Sequence, residues 1–135
     1  MNVSFSENKD TGVITCIIEG SGITVTAQAK CHPEDKPYYS TTFGNELAYA
    51  RAEIKYCKKF IRNIYAPRLQ TLVDIHHILY SSDKYNEASR RLVRRQIQIT
   101  RHDIEIAKDT IATLKQYVTG YINQKEKFNL RGKTN

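Results

Sequence analysis

The sequence predicts an α+β fold in which a small N-terminal antiparallel β-meander precedes a long two-helix hairpin. Around residues 3–6 and 23–30, apolar and polar side chains alternate, as they do in strands with one buried face. Beyond residue 38, apolar side chains recur every three or four positions, which is the spacing of an amphipathic helix. The 135 residues fit a single domain, and the longest helical stretch, residues 83–127, organises it.

Residues 1–37 are expected to hold the sheet and the linker that follows it. Val3 and Phe5 alternate with serines, which predicts a short half-buried strand. Val13–Ile18 is apolar on both faces, as is typical of the central strand of a sheet. Ile23–Lys30 alternates strictly, so one face of this third strand should pack inward while the other meets water or a ligand.

Residues 38–80 are expected to form the first helical segment. Thr41 or Thr42 can cap its start with a side-chain oxygen. Pro67 removes a backbone N–H from the helical ladder, so the helix is expected to kink near it or a new helix to begin there. Residues 69–79 are apolar on nearly every face, which predicts deep burial or a subunit contact.

The long helix is expected to run from residue 83 to about residue 127, with Asp83 as its N-terminal cap. No proline interrupts this stretch. At about 1.5 Å per residue, such a helix spans roughly 60 Å, which is more than a small domain covers. The tail that follows, residues 128–135, is polar and basic, and we expect it to be flexible.

Two apolar stripes follow the long helix side by side. The seam residues lie alternately four and three positions apart, as in a coiled coil: Val93, Ile97, Thr100, Ile104, Ala107, Ile111, Leu114, Val118 and Tyr121. The second stripe consists of Leu92, Ile99 and Ile106, and it makes the apolar face wider than one partner helix requires. We therefore expect a homo-oligomer, a dimer or higher, assembled through the long helices.

The composition is that of an ordinary soluble protein, with 40% hydrophobic and 26% charged residues. No apolar run is long enough to cross a bilayer, and the first residues lack the basic and apolar blocks of a signal peptide. These features predict a cytoplasmic protein with no membrane partner. Cys16, Cys31 and Cys57 form no Cys-x-x-Cys motif, so we expect neither a disulfide framework nor a zinc site.

The residue patterns of common catalytic sites are missing from the sequence. It contains no Gly-x-Ser-x-Gly motif and no phosphate-binding glycine loop. His76 and His77 lack a carboxylate at metal-ligand spacing, so we expect them to be core or interface side chains. We therefore expect a binding protein without cofactor or metal, and not an enzyme.

The charge of the chain is distributed unevenly. Residues 1–43 carry a net charge of −2 and the remainder carries +9, within a total of +7. Four arginines crowd the start of the long helix, where cations oppose the helix dipole: Arg90, Arg91, Arg94 and Arg95. Because guanidinium groups match phosphate bidentately, a bound anion would explain this placement. Solvated surface arginines are the alternative explanation.

Tyrosines flank the turn before these arginines, and aromatic faces beside arginines are suited to stacked bases. Glu87 can reach Arg90 or Arg91 and offsets only part of the positive charge. The expected ligand-binding residues are Tyr80, Tyr85, Asn86, Arg90, Arg91, Arg94, Arg95 and Arg101. Secondary candidates at the predicted junction of the sheet and the first helix are Lys30, Asn45 and Arg51.

Two segments resemble a known protein family. They are Val25–Asp35, VTAQAKCHPED, and Phe43–Ala52, FGNELAYARA, set within a small antiparallel sheet, a linker and two long helices. In these features the chain resembles the first-described family of phage anti-Thoeris proteins, which act as sponges for signals of the cyclic ADP-ribose type. One departure is the segment Pro37–Tyr39, which stands where a more acidic linker is expected.

The resemblance implies a phage anti-defence protein that inhibits Thoeris in the cytoplasm of the host cell. Such a protein sequesters a cyclic nucleotide, made by a bacterial immune sensor, without cleaving it. The resemblance also implies ligand pockets where two chains of a dimer or a higher assembly meet. The arginines and tyrosines at the start of the long helix would then enclose a diphosphate and an adenine.

Two other functions fit the sequence. A module that binds double-stranded RNA or DNA would explain the basic helices, and the β-β-β-α order is similar to that of a double-stranded RNA-binding domain without its first helix. A structural or partner-binding protein would use the long helix alone. The sequence leaves open which ligand is bound, the stoichiometry, and which chain supplies each wall of a pocket.

Overall fold

The computed structural model of the protein describes residues 1–30, 41–82 and 87–133, with the side chains of residues 43–82 and 87–122 in the helical part. Its elements are β1 (Asn2–Asn8), β2 (Val13–Gly20), β3 (Ile23–Lys30), α1 (Thr41–Phe60), α2 (Ala66–Tyr80) and α3 (Glu87–Lys133). A π-helical turn, Ile61–Tyr65, joins α1 to α2. The sheet precedes the long helices, so the predicted α+β fold is confirmed.

The chain gathers into two compact units. The first consists of Met1–Cys57 and Thr110–Asn135, and the second consists of Lys58–Asp109. The first unit therefore holds the sheet and most of α1, and the second holds α2 and the first half of α3.

The sheet is the predicted antiparallel meander. Its strand order is β1-β2-β3, so the strand that is apolar on both faces is central, as expected. A two-residue turn joins β2 to β3, and its central residues have positive φ, 52° at Ser21 and 74° at Gly22. This is the backbone of a type I′ hairpin, whose twist matches that of the strands it joins.

The inner face of the sheet supplies the core of the first unit. Ile14, Cys16 and Ile18 of β2 are fully buried, and every second residue of β3 is buried. The expected burial of one face of the third strand is therefore confirmed. Ala48 and Ala52 of α1 are also fully buried, and their small side chains allow the helix to lie close to its neighbours.

The first strand differs from its prediction. All seven residues of β1 are exposed, so the expectation of a half-buried strand is wrong. The apolar side chains that are covered belong to β2 and β3, and the side chains of Arg51 and Lys55 on α1 reach the backbone of β3. An alternating pattern identifies a face that could be buried, but it cannot show whether a helix lies over that edge of the sheet.

Pro67 neither breaks the helix nor removes a turn from it. The backbone stays helical from Thr41 to Tyr80, with the π-helical turn directly before the proline. A π-turn inserts one extra residue into the helical ladder, which is one way to accommodate a ring that lacks an N–H and crowds the preceding turn. The structure thus shows a local change of helix type before Pro67, and the kink expected near this residue stays a prediction.

α2 is much less buried than its apolar composition predicted. Leu79 is its only buried residue, and Ile78 is 58% exposed. The expectation of deep burial is wrong for the single chain, because the second unit contains too few elements to enclose a helix that is apolar on all sides. The other expectation for this segment, a subunit contact, stays a prediction.

Part of the α3 seam is buried within the second unit. Ile97 and Thr100 are buried, and the Thr100 hydroxyl donates to the Gln96 carbonyl at 2.8 Å, so a polar side chain is satisfied inside an apolar seam. Leu92 and Ile99 of the second stripe are exposed. The two stripes therefore differ in burial although they look alike in the sequence.

The helix ends differ in part from their expected positions. α3 continues to Lys133, past residue 127 where the long helix was expected to end, and the flexibility expected of residues 128–135 stays a prediction. Residues 128–131 contain neither proline nor glycine, and nothing in them stops a helix. α1 begins at Thr41, one of the two threonines expected to cap it, and the expected cap at Asp83 lies outside the described residues.

Candidate ligand-binding site

The C-terminal end of α2 is closed by an arginine from α3. The Arg90 Nε donates to the Leu79 carbonyl at 3.2 Å, and its Nη2 donates to the Ser82 carbonyl at 3.0 Å. The last carbonyls of a helix lack partners inside the helix and carry the negative end of its dipole. Arg90 thus supplies a hydrogen-bond donor at the C-terminal end of α2. Its position is therefore explained by a contact within the chain, without a bound anion.

Two guanidinium groups lie over one tyrosine ring. The Arg90 and Arg94 Cζ atoms are 5.1 Å and 5.7 Å from the centroid of the Tyr80 ring, within the range of cation–π attraction. The His76 ring lies 4.3 Å from the same ring at an angle of 36°. We call His76, Tyr80, Arg90 and Arg94 the Tyr80 cluster. Tyr80 is still 43% exposed, so a ligand can reach the cluster.

The acidic neighbour of this cluster is Glu87. Its Oε1 accepts from Arg94 Nη2 at 2.8 Å, two helical turns further along α3. The sequence suggested that Glu87 would answer Arg90 or Arg91. Arg90 is instead held by the carbonyls at the end of α2, and the long Arg94 side chain leans back toward the helix N-terminus. Arg94 keeps further N–H donors that this ion pair does not use.

The structure brings together three of the residues predicted to bind ligand: Tyr80, Arg90 and Arg94. The side chains of Arg91, Arg95 and Arg101 are exposed on α3 and make no hydrogen bond or ion pair with another described residue. The two remaining candidates of the main site, Tyr85 and Asn86, lie outside the described residues. The expected basic site is therefore centred on the Tyr80 ring, and only two of its arginines face that ring.

The secondary candidates lie in the first unit. Arg51 donates to the Gln28 carbonyl at 2.9 Å, so its charge is used at the edge of the sheet. Lys30 ends β3 and is exposed, and Asn45 is half-buried on α1. The described contacts do not join the three into one cluster.

A second aromatic cluster, which the sequence did not reveal, lies in the first unit. Glu46 of α1 accepts hydrogen bonds from the hydroxyls of Tyr117 and Tyr121 on α3. The Tyr121 ring makes edge contacts with Phe43 at 4.3 Å and with Tyr117 at 4.6 Å. We call Phe43, Glu46, Tyr117 and Tyr121 the Glu46 cluster. An open groove of about 530 Å³ adjoins it, lined by Thr113, Gln116, Tyr117, Gly120 and Tyr121 of α3.

The Glu46 cluster favours the protonated form of the Tyr121 phenol. Burial, followed by the hydrogen bonds to Glu46 and Tyr117, raises the pKa of Tyr121 well above its ordinary value. The four-residue spacing of Tyr117 and Tyr121 is visible in the sequence, and it places both on one face of α3. Their acidic partner lies 71 and 75 residues away along the chain, and no local signal predicts such a pairing.

Other chemistry finds little support among the described residues. No group of three or more histidine, cysteine or carboxylate side chains there could hold a metal ion. Burial raises the pKa of the Cys16 and Cys57 thiols, and a thiol that stays protonated is a weak nucleophile. Across residues 1–30, 41–82 and 87–133, none of the helices is both long and apolar enough to cross a membrane.

Comparisons with protein-family models, with curated proteins and with solved structures find no match to this chain.

Proposed function

We propose that this protein binds a small phosphate-bearing nucleotide of the cyclic ADP-ribose type and sequesters it without cleaving it. The observation that carries the proposal is the Tyr80 ring, which is exposed and has the guanidinium groups of Arg90 and Arg94 at 5.1 Å and 5.7 Å from its centroid. The base of a nucleotide can stack on the exposed part of this ring, and the guanidinium groups that lie over the ring can reach the phosphates of the same nucleotide.

The two arginines have different parts in this proposal. Arg90 is fixed by two backbone carbonyls, so it holds the positive charge in place and loses little freedom when a ligand binds. Arg94 is exposed and paired only with Glu87 among the described residues, so it is the group free to turn toward phosphate. An exposed ion pair of this kind contributes about 0.2–1 kcal/mol, less than a charge-assisted bond to phosphate at about 1.5–3 kcal/mol.

Sequestration is the part of the proposal that rests on the resemblance to phage anti-Thoeris sponges. The Tyr80 cluster offers donors and an aromatic face, which are the means of binding. A sponge also requires assembly or pockets that retain the ligand. Leu92 and Ile99 leave an apolar stripe exposed on α3, and this supports assembly of two or more copies through the long helices.

The experiment is a calorimetric titration of cyclic ADP-ribose into the full-length protein, followed by heat denaturation and chromatography of the released nucleotide. We expect saturable binding and recovery of unchanged cyclic ADP-ribose. Recovery of linear ADP-ribose would overturn the non-catalytic part of the proposal. The absence of binding at high micromolar concentrations of protein and ligand would overturn the ligand class.

Nucleic-acid binding is the second candidate, because Arg91, Arg95 and Arg101 are exposed along α3. Contacts to many phosphates give a steep salt dependence, with a log–log slope of about −0.9 per phosphate on duplex DNA. A pocket for one diphosphate gives a shallower slope. Titrations of a duplex RNA and a duplex DNA at several salt concentrations separate the two: tight, steeply salt-dependent duplex binding without cyclic ADP-ribose binding would favour this candidate.

A further inference from the structure

The two outer edges of the sheet differ in their contacts with α1. At the β3 edge, the Lys55 Nζ donates to the Thr26 carbonyl at 2.8 Å and the Arg51 Nη1 donates to the Gln28 carbonyl at 2.9 Å. Thr26 and Gln28 are two residues apart, so both carbonyls point to the same side of β3. Charged side chains from α1 therefore occupy this edge, which blocks the addition of another strand.

In the part of the chain that the structure describes, the β1 edge has no such protection. β1 pairs with β2 without a bulge from Asn2↔Glu19 to Asn8↔Val13, and all of its residues are exposed. It contains no lysine and no proline, which are common residues at protected edges. Among the described residues, none bonds to the outer side of β1. A regular, seven-residue strand thus presents an open row of backbone donors and acceptors.

The apolar face of the sheet also continues uncovered onto β1. Val3 lies opposite Ile18, and Phe5 lies opposite Cys16, so these side chains share the inner face. Ile18 and Cys16 are fully buried, whereas Val3 is 38% and Phe5 is 46% exposed. The uncovered part of the core face and the open backbone edge therefore belong to the same strand.

We propose that β1 pairs antiparallel with β1 of a second copy of this chain, around a two-fold axis at Ser4. This register places Val3 opposite Phe5 of the other copy, and Phe5 opposite its Val3, on the inner face. On the outer face it places Ser4 opposite Ser4 and Asn2 opposite Ser6. Within the paired residues 2–6, each apolar side chain then meets an apolar side chain and each polar one meets a polar one, while Glu7 and Asn8 lie beyond the end of the partner's β1. The edge therefore matches a second copy of itself.

Neighbouring registers fit less well. If the two-fold axis lies between two residues, Val3 and Phe5 of one copy lie opposite polar residues of the other. The apolar face of one sheet then continues into the polar face of the other. An axis at Phe5 places Val3 opposite Glu7, so a carboxylate loses water beside an apolar side chain. An axis at Val3 leaves a shorter ladder, because Ser6 and the rest of β1 then extend past the partner strand.

This contact is separate from the nucleotide proposal, since β1 and the Tyr80 cluster belong to different units of the chain. It is also separate from assembly through α3, because it uses a backbone edge and not a helical stripe. The test below reads strand pairing directly, so its failure leaves the calorimetric test of nucleotide binding unaffected.

The experiment places a cysteine on the axis, as Ser4→Cys, in a chain that also carries Cys31→Ser and Cys57→Ala. Cys16 stays, because it is fully buried. In the proposed register the two Ser4 positions lie about 4.5–5.5 Å apart between Cα atoms, within the range of a disulfide. Mild oxidation at micromolar protein should therefore give a covalent dimer on non-reducing gels, and reduction should reverse it.

The matched control is Ser6→Cys in the same background, on the same exposed strand and the same face. In the proposed register, the two Ser6 positions are four residues out of alignment, roughly 13 Å apart. We expect at least tenfold less dimer than with Ser4→Cys, and we expect Phe5→Lys to suppress the Ser4→Cys dimer. No Ser4→Cys dimer, or equal dimer from both positions in folded protein by circular dichroism, would overturn the proposal.

Discussion

The protein contains two tyrosine clusters that resemble each other in their rings and differ in their charge. Tyr80 and Tyr117 are similarly exposed, at 43% and 47%. Tyr80 lies under two guanidinium groups, whereas the hydroxyl of Tyr117 donates to the Glu46 carboxylate. An exposed tyrosine by itself therefore does not identify a nucleotide site, because the charged partner decides what the ring can bind.

The difference has a direct electrostatic consequence. A nucleotide that stacks on Tyr80 brings its phosphates toward Arg90 and Arg94, where the interaction is attractive. The same nucleotide on Tyr117 would bring phosphates toward Glu46, where like charges repel. The Glu46 cluster, although it adjoins an open groove, thus serves as an internal control for the Tyr80 cluster. The variants Arg94→Ala and Tyr80→Leu below each have a counterpart there.

The largest effect is expected from Arg94→Ala. It removes a charge-assisted bond to phosphate, about 1.5–3 kcal/mol, or roughly a 10- to 150-fold loss of affinity for cyclic ADP-ribose. The free energy of unfolding should change little, because only an exposed ion pair with Glu87 is lost. Calorimetry measures the affinity, with Glu46→Gln as the control that should bind normally. An unchanged affinity for Arg94→Ala would place the phosphates elsewhere.

A similar but more variable loss is expected from Tyr80→Leu. Stacking of a base on an aromatic ring contributes about 1–3 kcal/mol, which corresponds to roughly a 5- to 150-fold loss of affinity. Tyr117→Leu is the matched control, since it removes an equally exposed ring beside the carboxylate. The comparison between clusters is contradicted by an equal loss in the two variants, or by a loss in Tyr117→Leu alone.

A smaller effect of opposite sign is expected from Glu87→Gln. This substitution releases Arg94 from its 2.8 Å ion pair and removes a negative charge near the ligand. The pair contributes about 0.2–1 kcal/mol, so affinity should rise by up to about fivefold. The gain should fade at high salt, which screens exposed charges. A weaker complex after this change would mean that Glu87 itself helps to bind the ligand.

The smallest effect concerns pH and the Glu46 cluster. The pKa of Tyr121 in the folded chain is raised above its ordinary value of 10.0, by burial first and then by its hydrogen bonds to Glu46 and Tyr117. The folded chain keeps a proton that the unfolded chain releases, so this stabilisation is complete below pH 10 and declines as the pH rises further.

Denaturant unfolding between pH 9 and 11 measures this decline, and ultraviolet absorbance follows the phenolate. In Glu46→Gln the carboxylate charge is gone, so the pKa of Tyr121 should fall and the loss of stability above pH 10 should be shallower than in the unaltered protein. Identical slopes for the two proteins would show that Glu46 does not hold the Tyr121 proton.

Much of the fold followed from the sequence because its signals are local. Strand alternation, turn glycines and the apolar seam of α3 each lie within a few residues of the structure that they specify. The exposure of β1 did not follow, because the same alternation of Val3 and Phe5 suits a covered and an uncovered edge. The helix type before Pro67 also did not follow, since a proline permits several local solutions.

For the candidate sites too, contacts between residues close in sequence could be predicted and contacts between distant residues could not. Tyr80 and Arg90 are joined by a short connection, and Arg94 follows Arg90 by one helical turn, so sequence spacing could bring them together. The role of Arg90 at the end of α2 did not follow, because the position of a cation near the start of one helix does not show that it also closes the end of the preceding helix. Glu46 and Tyr121 are 75 residues apart, and only the packing of α1 against α3 in the first unit joins them.

The central claim is that the nucleotide binds at the Tyr80 cluster and not at the Glu46 cluster. Nuclear magnetic resonance of protein with ring-labelled tyrosine tests it most directly, with each signal assigned through Tyr→Phe variants. On titration with cyclic ADP-ribose, the account predicts that the Tyr80 ring signals shift and saturate while those of Tyr117 and Tyr121 stay in place. Saturating shifts at Tyr117 or Tyr121 with Tyr80 unmoved would contradict it.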